Sequence, residues 1–168
     1  MIFLKWLIKQ EFEHNDKQKE IYLLHVFKSI YRQFQNFEIN KFWKIHKWLP
    51  IFFQMPKMMK ELENDKSLGY LGGESWFGRN IISVQYWESF EHLENFAKSR
   101  DHSHLPAWQK FLKNVGVNGD VGIWHETYEI KKGSYENIYA NMPPFLLGKV
   151  ANLNKVTSSN NSARKRKS

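Results

Sequence analysis

The residues best suited to chemistry lie in one stretch, Val121–Ile130, which reads VGIWHETYEI. It is rich in β-branched and aromatic residues at strand length, and it sits between two turn signals, Asn118-Gly119-Asp120 and Lys131-Lys132-Gly133-Ser134. Read with a period of two, Val121, Ile123, His125 and Thr127 share one face, and Gly122, Trp124, Glu126, Tyr128 and Ile130 share the other. Neither face is uniformly polar, which predicts a strand covered on both sides and forming the wall of a pocket. His125 and Glu126 diverge as strand neighbours and cannot form a dyad with each other. His125 is a candidate general base because imidazole titrates near neutrality; the competing reading is a core histidine satisfied by one hydrogen bond. A buried Glu126 would need a partner, and Arg79 is the candidate. Trp76, Tyr86, Trp87 and Trp124 are placed to line an aromatic cavity, or else to pack a core or a dimer interface.

Three more histidines, His92, His102 and His104, invite a metal reading, since an H-x-H pair is a common fragment of such sites. The chain has no cysteine, however, and no carboxylate at clear spacing beyond Asp101. Solvent-facing or turn-capping histidines are therefore expected, and no metal. The net charge of +8 raises the question of nucleic acid. Four of the charges sit in Arg164-Lys165-Arg166-Lys167, behind the Ser/Asn-rich Thr157–Ser162, and read as the end of a solvated, disordered tail. Lys41, Lys44 and Lys47 beside Trp43 and Trp48 read as snorkelling lysines on an amphipathic helix. No nucleic-acid partner is expected. The glycines of Leu68–Asn80 are not followed by the Lys-Ser/Thr of a phosphate loop. Met1–Ile8 is apolar but too short for a membrane span and lacks a small-residue cleavage site, so a cytoplasmic protein without a membrane partner is expected.

The elements that must hold these residues follow from spacing. Leu23, Phe27, Ile30 and Phe34 recur at three or four and predict a helix over Ile21–Phe34. Asn40–Leu62 reads as two helical pieces kinked near Pro50, the second being Met55–Leu62, with a stripe of Met55, Met58, Met59 and Leu62 expected in the core. Tyr70–Phe77 and Ile81–Trp87 read as a hairpin turning at Gly78-Arg79-Asn80, with a bulge at Gly72-Gly73. In the second strand Ile82, Val84 and Tyr86 oppose Ser83, Gln85 and Trp87. Ser89 can cap a helix packed through Phe90, Leu93, Phe96 and Ala97. Ser99–Pro106 reads as a loop and Ala107–Val115 as a short helix. After Val121–Ile130 come a short strand at Tyr135–Tyr139 and a rigid extended segment, Asn141–Phe145. The order predicts an α+β fold with helices on one sheet face, and a ferredoxin-like βαββαβ fold if a strand precedes Asn40.

Seven runs share one pattern: NKFWKIHKWLP (Asn40–Pro50), MPKMMKEL (Met55–Leu62), LGGESWFGRN (Leu71–Asn80), VQYWESFEHLENFA (Val84–Ala97), HLPAW (His104–Trp108), GDVGIWHETY (Gly119–Tyr128) and YENIYANMPP (Tyr135–Pro144). Together they resemble a family of domains of unknown function grouped with a fumagillin-pathway monooxygenase, itself similar to antibiotic-biosynthesis-type monooxygenases. The resemblance implies a dimeric α+β barrel over residues 39–150, between an atypical, helical N-terminal segment (1–38) and a disordered basic tail (151–168). Two departures stand out. Tyr31–Glu38 is polar where the family has an apolar first strand, so that strand is altered or missing, or the segment comes from a frameshift or fusion. Leu146 stands where the family usually has Gly. The resemblance further implies a homodimer that oxidises a small apolar or aromatic molecule without a cofactor. His125 would be the base, Trp76, Tyr86 and Trp124 would hold a flat substrate, and Gln85 or Asn141 would stabilise developing negative charge. The alternatives are a haem protein of the same fold, with one of the five histidines from His46 to His125 as axial ligand, or a non-catalytic binding or dimerisation module.

Overall fold

Two strands, β1 (Tyr22–His25) and β2 (Ile30–Ile39), occupy the stretch where apolar spacing predicts a single helix. The correction has a tertiary cause. β2 pairs along its length with two neighbours at once, Tyr31–Glu38 against Trp87–Asn80 and Ile30–Ile39 against Ile130–Val121. Two complete ladders outweigh a local preference. The polar first strand is thus present, and it is central. This computed structural model describes residues 22–25, 30–78, 80–131 and 133–166. They fall into two compact units, Ser29–Ile130 and the flanking segments.

In the larger unit β2 leads into α1 (Ile45–Phe52) and α2 (Gln54–Asn64). The break falls at Phe53, three residues after Pro50, which α1 retains. Asp65 then caps a single turn of 3-10 helix, accepting from the Ser67 amide at 2.9 Å. β3 (Tyr70–Trp76) and β4 (Asn80–Trp87) form the expected hairpin, with the bulge between Tyr70 and Gly72. Ser89 caps α3 (Phe90–Lys98), its Oγ accepting from the His92 amide at 3.2 Å. α4 (His104–Asn114) begins three residues before Ala107, because Pro106 sits in its first turn, where a missing N–H costs no hydrogen bond. β5 (Val121–Ile130) closes the unit.

The strand order β3-β4-β2-β5, antiparallel throughout, with the element order βαββαβ, is the ferredoxin-like arrangement. Register assigns the faces. Gln33, Gln35 and Phe37 of β2 share a side with Ile81, Ser83, Gln85 and Trp87 of β4, and with Val121, Ile123 and His125 of β5. Two buried clusters lie here: Phe37, Ile39 and Ile81 with Phe111 and Val115, and Trp87 and Tyr70 with Leu62, Leu93 and Phe96. On the other side Trp76, Ile82, Trp124 and Tyr128 stay 39–51% exposed. β5 is therefore not covered on both faces as its mixed pattern suggests.

The entry to β5 is pinned by Asp120, which is buried and accepts from Lys41 Nζ at 2.7 Å and Lys44 Nζ at 2.8 Å. Its carbonyl also accepts from the Asn40 and Lys41 amides. Lys41 and Lys44 are thus ion-pair partners as well as half-wet lysines.

In the second unit β1 lies between β6 (Ile138–Tyr139) and β7 (Asn152–Lys155), again antiparallel. α5 (Leu147–Val150) and α6 (Ala163–Arg166) complete it. The segment read as a disordered tail therefore holds a strand and a helical turn, tied back by an Arg166–Glu136 ion pair. The extended reading of Asn141–Phe145 is interrupted at its start, where Asn141 takes a φ of 55°. No helix among the described residues is long and apolar enough to cross a membrane.

Candidate functional site between sheet and helices

Beneath the helices the sheet is not packed to closure. A cleft of about 80 Å³ lies between Gln35, Phe37, Ile81, Ile123 and His125 of the sheet and residues of α1, α2 and α4. Ile51, Met55 and Met58 form one wall; His104, Trp108 and Phe111 form the other. Trp108 stacks on Phe111 with centroids 5.4 Å apart. Met55 and Met58, expected as plain core, line this space. Unbranched thioether side chains suit an irregular surface.

His125 stands on β5 directly across from Gln35 of β2. His125 borders the cleft and is exposed to solvent. Among the described residues no hydrogen bond reaches it, so it is not the singly satisfied core histidine of the competing reading. Desolvation, with the charge of nearby His104 as a second cause, holds its pKa below the ordinary 6.5. His125 is thus an unengaged imidazole beside a largely apolar cleft.

His104 faces the same space from α4, and its Nδ1 lies 3.0 Å from the carbonyl oxygen of Ala97. A carbonyl only accepts, so Nδ1 carries a proton and donates to it. A second cavity of about 20 Å³, room for roughly one water, continues inward between Gln33, Gln85 and His104. Gln35, Met55, Met58 and His104 line both spaces. Gln85 is buried, donating to Met59 Sδ at 3.5 Å and accepting from Trp87 Nε1 at 3.3 Å. The buried Oε1 of Gln33 has no partner among the described residues.

Of the residues singled out from the sequence, His125 and Gln85 come to the helix-facing side. Trp76, Tyr86 and Trp124 alternate onto the opposite face. Asn141 lies in the other unit. Glu126 accepts from the Tyr128 hydroxyl at 2.6 Å, while Arg79 lies outside the described residues. His92 Nδ1 meets Ser89 Oγ at 3.0 Å and His102 Nδ1 meets Glu61 Oε1 at 2.9 Å, both in turn-holding roles. Sequence reasoning missed His104, Gln35 and Trp108 as cleft residues. The available signal was Pro106, which marks a helix start and brings His104 onto α4.

The sequence profile of the Monooxygenase af470-like family matches residues 34–147, which include β2 from Phe34, the whole cleft and the turn at Leu146. The chain belongs to this family. It is 33% identical over 94 residues to Monooxygenase af470 of Aspergillus fumigatus, a match covering 52% of this chain and 33% of that protein. This member thus spans about a third of its relative's length. Its fold is similar to that of an aldoxime dehydratase crystallised with butyraldoxime, at a TM-score of 0.63, 15% identity, 75% of this chain and 38% of that one. A second aldoxime dehydratase structure superimposes at 0.62 with 17% identity, over 76% of this chain and 39% of the other. At such identities the likeness is one of fold.

Proposed function

We propose that this family member oxidises a small apolar or aromatic molecule in the sheet–helix cleft, with His125 as general base. The carrying observation is that His125 lines the cleft with no hydrogen-bond partner among the described residues. A base so placed takes a proton from an acidic C–H without first giving up a hydrogen bond. The side-chain amide of Gln35, across the ladder, has no hydrogen-bond partner among the described residues and can donate an N–H to the developing anion. The anion passes an electron to dioxygen, and the two radicals combine to a peroxide anion. Protonated His125 returns the proton to give the hydroperoxide, and loss of water, which takes the second hydrogen of the same carbon, leaves a carbonyl. One oxygen atom enters the product, the other leaves as water, and no further reductant is required.

The resemblance also raises haem. His104, with its Nδ1–H anchored on the Ala97 carbonyl, is the residue that would hold a haem iron through Nε2. The space does not match. A cleft of about 80 Å³ is well below the ~300 Å³ at which drug-sized pockets begin, and a macrocycle is larger than such ligands. No step is therefore routed through haem.

Oxygen uptake with a panel of activated aromatic and 1,3-dicarbonyl compounds tests the reading. Uptake should vanish in His125→Ala while ligand-induced thermal stabilisation persists. Full turnover by His125→Ala would remove the assignment, and stabilisation without uptake by the wild type would make the chain a binding module. A homodimer built through the sheet face bearing Trp76, Ile82 and Trp124 belongs to the same proposal. Sedimentation of Trp124→Glu as a monomer beside a dimeric wild type would support it, and a monomeric wild type would exclude it.

A further inference from the structure

The His125 cleft does not end at α4. Gln54, Ala107 and Lys110 line it and also line a second, more open cleft of about 560 Å³ between α2 and the turn before α4. The two adjoin at these three residues, the first lined mainly by apolar side chains and the second mainly by polar ones. In the second cleft Glu61 is internally engaged: it accepts from the Ser103 amide at 3.1 Å, from Ser103 Oγ, and from His102 Nδ1 at 2.9 Å. Burial pushes its carboxyl pKa up, but these hydrogen bonds outweigh it and hold the group below 4.5. The same contacts fasten the turn carrying Arg100 against α2.

The charges facing this cleft are Lys57, Arg100 and Lys110 against the carboxylates of Asp101 and Glu61, and Glu61 is already engaged by Ser103 and His102. None of the three cations has an ion-pair partner among the described residues. Resting on the proposed use of the His125 cleft, we propose that the substrate is amphiphilic. Its apolar end lies beside His125, and a carboxylate or phosphate monoester on the same molecule lies between Lys57, Arg100 and Lys110. The anion fixes which end of the molecule reaches the base.

The test is isothermal titration of the full chain with a graded series of ω-phenylalkanoates and the uncharged ω-phenylalkanols of equal length. At low ionic strength the best carboxylate should bind about tenfold tighter than its alcohol, consistent with a few solvent-exposed charge pairs acting together. The preference should collapse in about 0.5 M salt, where the Debye length falls to a few ångströms. The triple substitution Lys57→Gln, Arg100→Gln, Lys110→Gln should erase the preference and leave alcohol affinity and thermal stability unchanged. Ile123→Trp, which fills the apolar end, should weaken both probes. Equal binding of acid and alcohol would overturn the anionic assignment while leaving the cleft intact. Carboxylate binding that survives Ile123→Trp would overturn the link between the two ends. Failure of every probe to bind would overturn both this proposal and the reading of the cleft on which it rests.

Discussion

Leu146 precedes α5 at φ 51° and ψ −118°, backbone that a residue with a Cβ rarely adopts. Such a conformation costs roughly 1–3 kcal/mol and persists only where its surroundings impose it. Here they do. The Tyr139 hydroxyl donates to the Phe145 carbonyl at 2.8 Å and accepts from the Gly148 amide at 2.9 Å, clamping the chain on both sides of Leu146. Replacing Leu146 by Ala and, separately, by Gly isolates the strain, because both changes remove the half-buried side chain and only Gly removes the Cβ. Relief of roughly 1–3 kcal/mol, less about 0.5–1 kcal/mol for the extra freedom of glycine in the unfolded chain, leaves Gly more stable than Ala by roughly 0.5–2 kcal/mol. At an ordinary position the sign is reversed. Hydrogen exchange at the Gly148 amide reads the local opening directly, so the comparison does not depend on the two units unfolding together. Exchange that is slower in Leu146→Ala than in Leu146→Gly would refute the argument. It would mean that the turn relaxes freely and stores no strain.

Three other outcomes can be checked. If His125 is the base, kcat/KM should fall on the acid side with a midpoint below 6.5, and His104→Gln should move that midpoint upward by removing a repulsive neighbour; a midpoint above 6.5 would contradict a desolvated imidazole. The same lowered pKa adds stability that is present above 6.5 and lost as pH falls through the folded value. Asp120, held below 3.8 by hydrogen bonds from Lys41 and then Lys44, contributes stability present above 3.8 and lost as pH falls through its lowered value; Asp120→Asn should lower the neutral-pH melting temperature and flatten the acid limb. Gly148→Ala should cost about 1–3 kcal/mol in urea unfolding, since a Cβ there would stand 2.7 Å from the Tyr139 ring.

The hairpin, the capped α3 and the faces of β4 and β5 were legible because each depends on local signals: turn residues, a Ser cap and strict alternation. β2 was not. Its apolar residues happen to fall at helical spacing, and what makes it a strand is the pair of ladders on either side, which no local pattern records. The site divides along the same line. Alternation correctly separates His125 from Trp124, and Gln85 from Tyr86, but both faces carry aromatic and polar residues, so the pattern alone cannot say which face the helices cover. Grouping Trp76, Tyr86 and Trp124 with His125 mixed the two faces. Taking Pro106 as a breaker, rather than a first-turn residue, left His104 in a loop. The helix-covered face follows instead from where α4 docks. Phe111 and Val115 pack on Phe37, Ile39 and Ile81, and that seating brings His104, one end of the same helix, over the row that contains His125. The apolar packing that orients α4 thus also creates the two-histidine cleft. A substitution at Phe111 should therefore disturb turnover and stability together at any pH, whereas one at His125 should disturb turnover and only the acid limb of the stability profile.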